Sequence, residues 1–140
     1  TKTADGSKNI SKKEAKGEII SSIHSIKYHK NIISWSSTFS KPIGAPLEIV
    51  PSKNPLALKS GDMLEITVFK DKKPLSGAKV ETGGYHDENA TLKTDEKGKA
   101  SIKINQSGFN IVAVSNKTKL ENNPDADTLS ESANLAFVTK

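Results

Sequence analysis

The sequence predicts an all-β protein, an antiparallel β-sandwich of the immunoglobulin/prealbumin-like kind with about seven strands. Three observations predict it. Several short segments alternate with period two, as where Leu64, Ile66 and Val68 oppose Glu65 and Thr67. Turn signals built on Gly, Pro, Asp and Asn separate these segments. No stretch carries a convincing helical period.

In chain order, residues 1–18 are polar and lysine-rich and predict loop. In residues 19–39, Ile19, Ile23, Ile26, Lys30 and Ile33 would line a helical face, while Ile26, Tyr28 and Ile32 alternate as in a strand. The Ser and Ile content favours a strand over His24–Trp35, because β-branched residues fit a pleated surface. Residues 40–61 hold four of the six prolines. That excludes helix and predicts an extended connection with a short strand at Leu47–Val50. A strand over 62–70 follows, then "AKVET", "ATLKT" around Leu92, and "KASIKI" with Ala100, Ile102 and Ile104 inward. "FNIVAVS" is apolar on both faces and predicts a central strand. "LSESANLAFVTK" alternates Ala133, Leu135 and Phe137 and closes the fold.

The turns have their own chemistry. In "KDKKPLSG", Asp71 can cap a turn, Pro74 fixes φ, Leu75 packs down on the sandwich edge and Gly77 supplies a positive φ. In "TDEKGKA", Asp95 opens a turn and Gly98 takes its left-handed position.

Composition narrows the function classes. A chain of 140 residues buries roughly 68–70% of its unfolded surface, enough for one core. No apolar run approaches ~18 residues, so no membrane-spanning helix is expected. The formal charge is +5, carried by lysines alone, and aromatics are 5%. Scattered lysines without arginine forks or stacking aromatics argue against nucleic acid and for a solvated surface. There is no cysteine, which excludes disulfides and thiolate metal sites.

The combination of the Gly61–Val80 strand pair ("GDMLEITVFKDKKPLSGAKV"), "TDEKGKASI" and the Gly-aromatic strand resembles prealbumin-like sandwiches, including carboxypeptidase regulatory-like modules. The preceding "PIGAPLEIVPSKNP", Pro42 to Pro55, resembles the NikM-type family of periplasmic proteins associated with nickel and cobalt uptake. "TKTADGSKNISKKEAK", "SIKYHKNIISW" and the closing "SANLAFVTK" extend the resemblance over nearly the whole chain. The resemblance implies a periplasmic location, a nickel or cobalt ion as cargo and a membrane transporter component as partner. Members of that family begin with a further β domain. On that reading residues 1–39 are a polar segment and strand left from an N-terminal domain, and residues 40–140 are the prealbumin-like sandwich. The opening without Met fits a fragment or a processed chain.

Nickel and cobalt favour imidazole completed by carboxylate. His86, Asp87 and Glu88 stand together in "GGYHDENA", where a loop can turn neighbouring side chains to one ion. His24 and His29 are five apart, an odd spacing that puts them on opposite faces of a strand. The competing readings are a polar hairpin loop and ordinary surface histidines. Asp125 and Asp127 in "ENNPDADTLSE" could meet a cation, but the run lacks a calcium-loop spacing and Asn-Pro-Asp is turn chemistry. No catalytic cysteine, G-x-S-x-G elbow, H-E-x-x-H pair or phosphate loop occurs, so no enzyme is expected. The expected function is a periplasmic binding or accessory protein for transition-metal uptake. The alternative is a metal-free envelope interaction or adhesion module that uses the sandwich surface.

Overall fold

The computed structural model describes residues 1–83 and 92–140. The strands are β1 (Lys2–Thr3), β2 (Gly6–Ser7), β3 (Ile19–Ser21), β4 (Ile23–Ile32), β5 (Leu47–Pro51), β6 (Met63–Lys70), β7 (Lys73–Pro74), β8 (Lys79–Thr82), β9 (Lys99–Lys103), β10 (Gly108–Lys119) and β11 (Thr128–Thr139). Among the described residues the helical pieces are short 3₁₀ turns at Lys12–Glu14, Ser37–Ser40 and Pro55–Ala57. The protein is an all-β sandwich, as the period-two pattern predicts.

The chain forms two units. Thr1–Ile26 with Asn116–Glu131 make the first, and Lys27–Ser115 with Ser132–Lys140 make the second.

The second unit holds the core. One sheet runs in the order β4-β11-β10-β8. In the other, β6 pairs with β5 on one side and with β7 and β9 on the other. Leu64, Ile66 and Val68 of β6 share one buried cluster with Val112 and Val114 of β10 and with Leu135 and Phe137 of β11. Burying each such side chain contributes about 1.5–3 kcal/mol. The polar partners, Glu65 and Thr67 on β6, are only partly covered. β10 lies between β11 and β8, which its two apolar faces predict. The "ATLKT" segment differs from expectation where it is described. Leu92 packs against the core, and Lys93 makes one isolated bridge to Lys79 instead of a strand.

The turns carry one surprise. Lys70 pairs with Lys73, so β6 and β7 are joined by Asp71 and Lys72 alone. Both have positive φ, +49° and +66°. A two-residue hairpin of this hand needs that conformation and usually recruits Asn or Gly. Gly77 and Gly98 take the left-handed region as expected, at +73° and +74°.

In the first unit, β1 pairs with β2 and with β3. Residues 1–18 are therefore not all loop. A hairpin turning at Ala4–Asp5 needs only backbone pairing, which leaves no apolar period in the sequence. The buried residues of this unit are Ser22, Ala126 and Glu131.

Candidate functional site

His24 and His29 both lie on β4 and are exposed. His24 stands on the wall of a cleft of about 420 Å³ in the first unit, with Glu14, Ser22 and Asp125. His29, in the second unit, lines a cavity of about 40 Å³ with Tyr28, Lys30 and Glu48. Among the described residues no three His, Asp or Glu side chains gather closely enough to hold a metal ion. His86, Asp87 and Glu88 lie outside the described residues.

The acidic run 121–131 has a structural role in the first unit. Lys12 Nζ donates to Asp127 Oδ1 at 2.6 Å, and the Ser22 amide donates to Asp127 Oδ2 at 3.1 Å. Lys13 Nζ stands 3.0 Å from Asp125 Oδ1. The backbone reinforces these contacts. The Lys12 amide donates to the Asp125 carbonyl at 2.7 Å, and the Asp127 amide donates to the Ser22 carbonyl at 2.9 Å. Asn123 Oδ1 accepts from the amides of Asp125 and Ala126, which fixes the turn. The Lys12 hydrogen bond, with the Lys12 charge and the Ser22 amide, holds the Asp127 carboxyl below its ordinary range against the opposing effect of desolvation. Both aspartates are thus engaged by lysines.

Sequence reasoning missed a buried ion pair in the second unit. Glu48 on β5 is 2% exposed. Lys30 Nζ on β4 donates to Glu48 Oε2 at 2.9 Å and to the Ile49 carbonyl at 3.1 Å. The amides of Ile43 and Gly44 donate to the two oxygens of Glu48, at 3.1 Å and 2.9 Å. Burial pushes the Glu48 pKa up. The hydrogen bonds from Lys30, Gly44 and Ile43 and the Lys30 charge pull it further down, so the group sits below the ordinary carboxylate value. The arrangement joins an edge strand of one sheet to an edge strand of the other and pins the turn ahead of β5. It also gives Pro42–Pro55 a physical logic. Gly44, at φ +97°, lets the chain fold back on Glu48. Asn54 Oδ1 accepts from the Leu56 amide and caps the 3₁₀ turn after the strand. One sequence signal could have found the pair: Glu48 is the only carboxylate between Glu18 and Asp62.

A family model described as a domain of unknown function (DUF4198) matches residues 1–118. The chain belongs to the DUF4198 family. No curated protein and no solved structure matches it. In this DUF4198 domain the matched residues include Lys30, Glu48 and all three histidines, and they exclude the Asp125–Asp127 turn. No helix among its described residues is long and apolar enough to cross a membrane.

A cleft of about 580 Å³ opens at one end of the second unit. Thr82 and Gly83 form one wall, and Asn105, Gln106 and Phe109 stand on another. The amides there are used internally. Asn105 Nδ2 donates to Thr82 Oγ1 at 3.2 Å, and Gln106 Nε2 donates to the Phe109 carbonyl at 2.6 Å. Gly83 is the last described residue before the segment that carries His86.

Proposed function

We propose that this DUF4198 domain is part of a periplasmic binding or accessory protein for nickel or cobalt uptake, acting with a membrane transporter and not as an enzyme. The observation that carries the reading is the NikM-type resemblance of "PIGAPLEIVPSKNP". The sandwich supports it as a rigid frame: β5, inside that motif, is buried along its whole length. A frame of this kind suits presentation of a bound ion, because ligands on loops are only as well placed as the elements that hold them. His86, Asp87 and Glu88 are the proposed ligands, with His24 and His29 as further imidazoles. One imidazole with two carboxylates leaves open positions on an octahedral ion, which suits an ion that must be handed on.

Isothermal titration of the chain with Ni²⁺, Co²⁺, Cu²⁺ and Zn²⁺ tests the reading. Saturable heat in the micromolar range for Ni²⁺ or Co²⁺, greatly weakened by His86→Ala, is expected. A chain that gives no heat with any of the four ions does not carry the site.

A further inference from the structure

The connection between β4 and β5 presents an apolar groove to solvent. Ile33 is 85% exposed, Ile43 72% and Phe39 38%. All three line one groove of about 170 Å³. Trp35 packs against the core and meets Phe39 edge-on, with ring centroids 5.9 Å apart. Phe39 is therefore braced by a residue that packs on the core. Single exposed apolar residues are ordinary, but three that line one groove single out a candidate interaction surface.

Two lysines stand close to the groove residues, one in the chain and one in space. Lys41 is exposed and lies between Phe39 and Ile43 in the chain. Lys72 is exposed, and its Cε lies 3.3 Å from the place a Cβ on Gly44 would take, so it reaches over the residue after Ile43. Of the two carboxylates nearby, one is buried and the other is exposed but paired. Glu48, the one carboxylate of the connection and its flanks, is buried against Lys30. Asp71, beside Lys72, pairs with Lys70 at 3.1 Å.

We propose that this groove docks on an anionic lipid surface. Isoleucine and phenylalanine side chains would enter the boundary between headgroups and acyl chains, with Lys41 and Lys72 left at headgroup level. Charge selects this occupant over a second copy of the chain. The second unit has fourteen lysines against nine carboxylates, the whole +5 excess of the chain, which favours an anionic surface over a like-charged copy. The cationic groups are also lysines and not arginines. Point charges suit a diffuse anionic surface better than a shaped anionic pocket, which calls for a guanidinium fork. The proposal uses no histidine, so it and the metal reading can fail separately.

Co-sedimentation of the intact chain with vesicles tests it. Vesicles of phosphatidylcholine doped with phosphatidylglycerol are expected to carry the chain down at low salt, and vesicles of phosphatidylcholine alone are not. Ile33→Ser with Ile43→Ser should weaken the partition by at least about tenfold, since each loses apolar carbons at the boundary. Lys41→Gln with Lys72→Gln should weaken it by about fivefold per lysine and flatten its salt dependence. All four positions are exposed, and unchanged circular dichroism and urea midpoints would confirm that the variants fold. Three results would overturn the proposal: no association with the phosphatidylglycerol vesicles, association that survives the isoleucine pair, or a dimer in sedimentation that the isoleucine pair dissolves.

Discussion

A Cβ placed on Gly98 would lie 2.8 Å from the Val68 carbonyl oxygen and 3.0 Å from the Leu75 amide nitrogen. Those two groups bond to each other at 2.9 Å, and the Val68 amide donates to the Gly98 carbonyl at 2.8 Å. The turn is therefore pressed onto the β6–β7 hairpin with no room to retreat. Gly98→Ala is expected to cost about 2–4 kcal/mol, combining left-handed strain with a backbone clash. Gly77 shares the left-handed φ but has nothing within 4 Å of its would-be Cβ. Gly77→Ala should cost only about 1 kcal/mol. Urea midpoints of the two variants check the contrast, and equal losses would refute the clash. Lys72 gives the opposite case. It holds φ at +66° with a side chain that disfavours it, so Lys72→Gly should raise stability by up to about 1 kcal/mol. Glycine announces the conformation at Gly77 and Gly98 in the sequence. At Lys72 the hairpin register imposes it, and the residue type does not give it away.

The strands were legible because burial on one face writes itself into alternate residues. β6 and β9 follow that pattern residue by residue, and apolar character on both faces placed β10 in the interior of its sheet. The Lys30–Glu48 pair was not legible, since it joins residues on different sheets and leaves no period. Nor was the fastening of Lys12 and Lys13 to Asp127 and Asp125, which depends on lysines more than a hundred positions away. The candidate site was legible only as residue types: two of its histidines fall on an exposed strand, and the rest lie outside the described residues. Glu48 also sets a pH dependence. Its folded pKa lies below the ordinary 4.5, so its contribution is fully present above that value and is lost as pH falls through the folded one. Glu48→Gln should therefore show a smaller loss of urea midpoint on acidification than the parent. Identical acid profiles would mean the carboxylate is not paired in solution. Lys30→Met strands a buried carboxylate and is expected to cost about 3–5 kcal/mol at neutral pH.

At the scale of the molecule the two units differ in what holds them. The second has an apolar core drawn from both sheets. In the first, two of the three buried residues, Ser22 and Glu131, are polar, and the cohesion comes from backbone and lysine–aspartate hydrogen bonds. Each such bond is worth about 0.5–1.5 kcal/mol net, because water competes for the same groups. Segments with few buried apolar contacts open at lower free energy than the core. Amides of residues 1–26 and 116–131 should therefore exchange with solvent at lower urea concentrations than those of β6 and β9. The only tryptophan, Trp35, belongs to the second unit, so its fluorescence reports that unit's melting alone. Amide exchange in the first unit should precede the Trp35 transition as urea rises. Asp127→Ala should widen the gap by advancing the first event and leaving the second in place. Coincident transitions in the parent chain would show one cooperative body and remove the distinction.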